Sequence, residues 1–231
     1  MHFNPMFFDP MYLVYIAPAV LLAIWAQFRI HSAYGQAQQM AAPLSGAAAA
    51  RHILDSAGLT EVAIEEIPGQ LTDHYDPREK VLRLSQQVYQ SRTLAAVGIA
   101  AHESGHAIQD AHGYAPLVVR NAVVPVAGIG SNVGIVLLIL GFVLSLKPMI
   151  WLGIGLFATV VAFQVINLPV EFNASSRAKA QLVDLGIIDQ QGLVYVNRVL
   201  SAAALTYVAA TLQAILTLLY YLSRVNGNNR D

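Results

Sequence analysis

Four long stretches of this chain, residues 10–28, 121–146, 148–170 and 199–223, contain no Asp, Glu, Lys or Arg. A helix that crosses a hydrocarbon core about 30 Å thick needs roughly 20 mostly apolar residues. Each stretch is therefore predicted to be a transmembrane helix. The patterns between them have shorter periods. Residues 61–67 and 80–84 alternate apolar with polar positions, the period of a half-buried strand, and Asp76-Pro77-Arg78-Glu79 supplies turn chemistry before the second. Ser45 is placed to cap a helix over 47–56 that stops at Gly58. From Ser91, taken as an N-cap, the positions Leu94, Val97, Gly98, Ala101 and Ile108 predict one helix ending near Gly113. A further helix is predicted over 171–184, ending at Gly186. The fold class that follows is a mainly α integral membrane protein: four transmembrane helices with a small α+β part.

Composition agrees with a bilayer as the solvent for much of the chain, since 56% of residues are hydrophobic and 12% charged. A net charge of −1 offers no basic footprint for nucleic acid. Cysteine is absent, which excludes disulfides, Cys-ligated zinc and thiol nucleophiles. The first span lacks the basic leader of a signal peptide, because residues 1–10 contain no Lys or Arg, so it is read as an uncleaved anchor. Of the 13 basic residues, Arg29, Arg51, Arg78, Lys80, Arg83, Arg92 and Arg120 lie between the first two spans, and Arg177, Lys179 and Arg198 between the last two. The positive-inside rule then places both intervening segments in the cytoplasm. The expected organisation is a transmembrane anchor over 1–28, a cytoplasmic α+β part over 29–122, a transmembrane hairpin over 123–170, a cytoplasmic helical segment over 171–198, and a fourth transmembrane helix with its tail over 199–231.

The chemistry concentrates in His102-Glu103-Ser104-Gly105-His106. Helical residues four apart face the same way one turn on, so His102 and His106 can present two imidazoles to one point, a pair that suits zinc. Glu103, beside the first ligand, can take a proton from water that the metal acidifies and return it to a leaving amine. A frequency product puts the accidental occurrence of this motif at roughly once in two hundred sequences of such composition. Small residues around it, Ala100, Ala101, Gly105 and Ala107, allow close packing about a metal.

A catalytic zinc takes a third protein ligand. His112 stands where an extended His-Glu-x-x-His-x-x-Gly-x-x-His motif would place one, but Gln109 occupies the position of the turn-making Gly. On an unbroken helix His112 would sit about 15 Å along the axis from His102. Glu171, the first charged residue after the third span and on the same side as the motif by the count of basic residues, is the preferred candidate. Arg177 and His74 are candidates for stabilising an oxyanion.

Four segments carry a resemblance to a known family: Leu71-Thr72-Asp73-His74-Tyr75-Asp76-Pro77, residues 101–109, Pro169-Val170-Glu171-Phe172-Asn173-Ala174-Ser175, and residues 202–208. In these the chain resembles the YugP-type neutral zinc metallopeptidases, themselves similar to the HtpX and CAAX membrane proteases. The resemblance implies a zincin-like catalytic part of gluzincin type, with zinc on His102, His106 and Glu171 and Glu103 as the base. In the wider relatives an Asp follows the ligand Glu by four positions, where this chain has Ser175, so Asn173 is the candidate for orienting a ligand. The function expected is a membrane-embedded, zinc-dependent endopeptidase acting on membrane-associated or misfolded polypeptides, with the lipid bilayer as its other partner and its catalytic side in the cytoplasm. The competing readings are a non-catalytic zinc-binding membrane assembly or scaffold protein, and a transporter. The spans argue against transport, because they contain no ionisable residue of the kind that marks a permeation path.

Overall fold

The computed structural model describes residues 9–227, so residues 1–8 of the predicted anchor and 228–231 of the tail lie outside the described residues. The elements in chain order are α1 (Pro10–Gln38), α2 (Gly46–Ser56), β1 (Ala63–Ile67), β2 (His74–Asp76), β3 (Val81–Ser85), α3 (Gln86–Gln90), α4 (Leu94–Ala111), α5 (Ala115–Ile129), a π-helical turn (Gly130–Gly134), α6 (Ile135–Val143), α7 (Lys147–Asp184) and α8 (Gln190–Gly227). Four helical stretches are long and apolar enough to cross a membrane, Pro10–Gln38, Ala115–Val143, Lys147–Asp184 and Gln190–Asn226. The chain forms two compact units, one of residues 1–25, 119–168 and 205–231, the other of 26–118 and 169–204.

The second unit holds the sheet and α4. Ser45 caps α2, its hydroxyl accepting from the Ala48 amide at 3.3 Å, and Gly58 beyond the helix adopts φ +74°, a conformation costly for any residue with a Cβ. The sheet has the order β1-β3-β2, with β3 parallel to β1 and antiparallel to β2. The strand predicted over 80–84 is thus the middle one, and β1 and β2 are the edges. On one face Leu82 and Leu84, fully buried, pack with Leu54, Val88, Ala96, Ala100 and Ala107. On the other, Arg83 bonds Glu65 of β1, Asp76 of β2, and Glu79 in the turn.

Two boundaries depart from the sequence reading. Thr93, not Ser91, is the N-cap of α4, its Oγ1 accepting from the Ala96 amide at 3.3 Å. The cause is tertiary: Ala42 donates to the Arg92 carbonyl at 3.0 Å and Leu94 to the Met40 carbonyl at 2.9 Å, which holds the backbone before Leu94 extended against residues 40–42. Ser91 instead follows the short α3 as its C-cap. Secondly, the third span and the helix expected from 171 are one element, α7, which passes through Pro169 even though proline supplies no amide to the helix ladder.

In the first unit, α6 and α7 approach through small residues: a Cβ on Gly153 would lie 2.9 Å from the Leu138 amide nitrogen, and one on Gly141 2.8 Å from that of Ile150. Small residues of this kind let two helix backbones approach closely. The π turn at Gly130–Gly134 sits between α5 and α6 in the span predicted as a single helix over 121–146.

Leu82→Ala would remove a fully buried side chain from the central strand. Large-to-small core changes of this kind cost about 2–5 kcal/mol, so thermal unfolding in detergent is expected to show a clearly lowered midpoint.

A candidate metal centre on two helices

Helix α4 is buried almost all round. From Ala100 to Gln109 only His102 and Glu103 fall short of full burial, and the His102 side chain is 13% exposed. Opposite stands α7, and the two meet at backbone distance. A Cβ on Gly105 would come within 2.7 Å of the Ala174 carbonyl oxygen and 3.2 Å of its Cα. No residue larger than glycine fits there without displacement, and the contact lies between the two histidines in sequence.

That approach brings Glu171, one turn before Ala174 and only 6% exposed, to the histidines. Its Oε2 lies 3.2 Å from His102 Nε2 and 3.7 Å from His106 Nε2. The ligand-type atoms of the three residues all fall within 4.8 Å of one another, and no other such group of three occurs among the described residues. Atoms bound roughly 2.0–2.2 Å from one tetrahedral zinc lie roughly 3.3–3.6 Å apart. The two separations from Glu171 to the imidazoles are close to the edges of that tetrahedron, and the donor set, two imidazoles and a carboxylate, is one that suits zinc.

The outward nitrogens of both rings are also engaged. His102 Nδ1 lies 3.1 Å from Ser175 Oγ, and His106 Nδ1 lies 3.0 Å from Gln109 Oε1. Gln109, fully buried, donates through Nε2 to the Val170 carbonyl at 2.8 Å and to Asn173 Oδ1 at 3.0 Å, and Arg177 Nε donates to the same Asn173 oxygen at 2.8 Å. Burial pushes the Glu103 carboxyl above its ordinary range; the two imidazoles oppose this, and the negative charges of Glu171 and Asp73 reinforce it. The edge strand β2 is tied to α4 by the Tyr75 hydroxyl, which donates to Asp110 Oδ2 at 2.9 Å. Burial and this bond both raise the Tyr75 phenol above its usual value.

Of the residues singled out from the sequence, His102, His106 and Glu171 converge, while Asn173 and Arg177 join the polar network behind them. His112 is the exposed C-cap of α4 and is not part of the converging group. His74 is exposed on β2, its ring bonded to the Thr72 carbonyl at 2.8 Å. Gln109 and Ser175 face the ligand rings although the sequence marked them only as departures from other motifs. A polar residue three positions after a ligand on a wholly buried helical face was the signal available for Gln109.

A family model described as "Putative neutral zinc metallopeptidase" matches residues 12–226. The chain belongs to this family. It is 45% identical over 224 residues, 96% of its own length and 99% of the relative's, to a protein of Bacillus subtilis (strain 168) named "Putative membrane protease YugP". No solved structure matches the chain. The sequence resemblance to YugP-type peptidases holds over nearly the whole chain.

Gly105→Ala should force α4 away from α7. An overpacked core contact costs about 1–3 kcal/mol, more than the roughly 1 kcal/mol that alanine gains over glycine in helix propensity. The variant is expected to unfold at lower temperature and to bind zinc more weakly. Gly35→Ala in α1, with nothing within 4 Å of the added Cβ, should be neutral or slightly stabilising.

Proposed function

We propose that this protein is a zinc-dependent endopeptidase of the membrane, with His102, His106 and Glu171 as metal ligands and Glu103 as general base and acid. The observation that carries the reading is the meeting of a carboxylate oxygen of α7 with both Nε2 atoms of α4, beside a second carboxylate on α4 itself. Zinc bound there would act as a Lewis acid, polarising a substrate carbonyl and acidifying water.

The residues supply the rest. Glu103 would accept the proton of the attacking water and later deliver it to the leaving amine. Ser175 and Gln109 hold the rings of the two histidines from behind. The outer edge of β2, fastened to α4 through Tyr75 and Asp110, would add an extended polypeptide as a further strand. The distribution of basic residues supports a cytoplasmic catalytic side, and the four apolar helices support substrates that are membrane-associated or misfolded. A purely structural zinc site or scaffold has no use for an acid beside its first ligand.

Glu103→Gln should retain zinc and lose hydrolysis of a casein-like or membrane substrate by about 10²–10⁴-fold, the usual worth of a general base. Equal cleavage by that variant would sink the peptidase reading. For the ligand set, Glu171→Ala should weaken zinc binding by more than the roughly 100-fold that marks the upper range for outer partners, while His112→Ala leaves it nearly unchanged. The reverse order, read from chelator competition, would transfer the third position to His112.

A further inference from the structure

The polar network behind His106 runs in one direction only, and the direction can be read from two groups whose roles are not negotiable. A guanidinium Nε carries a hydrogen and no lone pair, so the Asn173 atom that it meets at 2.8 Å is the carboxamide oxygen. That oxygen, 3.0 Å from the Gln109 carboxamide, must face the Gln109 nitrogen. The Val170 carbonyl can only accept, and at 2.8 Å it demands the same nitrogen. Both hydrogens of the Gln109 amide are then committed. Its oxygen is left to His106 Nδ1, 3.0 Å away, which must carry a hydrogen. A neutral imidazole with hydrogen on Nδ1 has its lone pair on Nε2, the atom turned toward Glu171.

His102 is held differently. Its Nδ1 meets a serine hydroxyl at 3.1 Å, and a hydroxyl can turn to donate or accept, so Ser175 does not dictate a tautomer.

We propose that Arg177, Asn173 and Gln109 form a one-way hydrogen-bond relay that locks His106 in its Nδ1–H tautomer, with Gln109 as the positioning residue on which metal binding depends. The proposal rests on the reading of this site as a metal centre. It gives Arg177 a role through Asn173, at the far end of the relay. It also makes the second histidine ligand of α4 dependent on α7, because two of the three partners of the Gln109 side chain, Val170 and Asn173, belong to that helix.

The test uses the full-length protein in detergent, with zinc affinity from chelator competition and the histidine tautomers of zinc-stripped protein from ¹⁵N NMR of ¹⁵N-histidine-labelled samples. Gln109→Met removes the acceptor and should weaken zinc binding about 10–100-fold and mix the two tautomers of one histidine. Gln109→Glu can only accept, so it should keep the Nδ1–H tautomer and bring zinc affinity back to within tenfold of wild type, although it can no longer donate to Val170 or to Asn173. Asn173→Asp, which still accepts from both neighbours, should behave as wild type.

A role confined to packing predicts the opposite order, with the glutamate variant no better than the methionine one; that result overturns the relay, as does wild-type zinc affinity with an unmixed spectrum in Gln109→Met. Should the methionine variant fail to fold, Gln109→Glu decides alone: affinity within tenfold of wild type supports the relay, and a larger loss rejects it. If wild-type protein itself binds no zinc, the metal reading fails, whereas the ¹⁵N spectra still judge the tautomer lock.

Discussion

The backbone contact between α4 and α7 at Gly105 and Ala174 is the constraint from which the site follows. Side chains of ordinary size would hold two helices about 8–10 Å apart. Glycine at 105 with alanine at 174 permits a closer crossing, and the short reach of a glutamate then suffices to place the Glu171 carboxylate among imidazoles from the other helix. The same logic extends to other small buried residues, Ala101 on α4 and Ala174 and Ala178 on α7. They contribute little apolar area each, and their value lies in the distance they allow.

Close packing brings an electrostatic penalty. Glu171 is a buried carboxylate beside two buried or half-buried imidazoles, and burial of an ionised group is costly unless an opposite charge or a cation meets it. A divalent ion at the point where the three side chains converge is the natural answer to that cost. The surrounding polar atoms obey the same rule. Ser104 donates to the Ala100 carbonyl, Ser175 meets His102, and Gln109 uses its oxygen and both amide hydrogens. A half-satisfied network here would be worse than an apolar one, so the polar residues of α7 and α4 have to be understood as a set.

One of the long apolar helices also carries part of the candidate site. Lys147–Asp184 is one helix, with its apolar length before Pro169 and the Glu171, Asn173, Ser175 and Arg177 side chains after it. Sequence patterns separated a span from a polar helix at this point because hydropathy changes sharply there, yet a change of solvent need not break a hydrogen-bond ladder. Pro169 lies inside this helix, which tolerates the loss of one amide when its neighbours hold the chain on course.

Local periodicity and composition determined the parts that depend on residues near one another in sequence: four apolar spans, the Ser45 cap, two of the three strands, and a helix that presents His102, Glu103 and His106 together. The preference for Glu171 over His112 also drew on helix geometry, since rise per residue is the same along any unbroken helix. What tertiary structure alone decided is everything that joins distant segments. The start of α4 moved to Thr93 because residues 40–42 pair with the chain before it. The middle position of β3 emerged from pairing with two partners, and the short β2 had too few residues for a periodic signal. Glu171 could be nominated by its position after a span, but its distance to the histidines, the bonds that turn Gln109 toward His106 and the approach of Ser175 to His102 exist only once α4 and α7 are in contact. A sequence records which side chains are available within a helix; which atoms of two helices can meet is set by the packing between them, and here by the absence of a single Cβ.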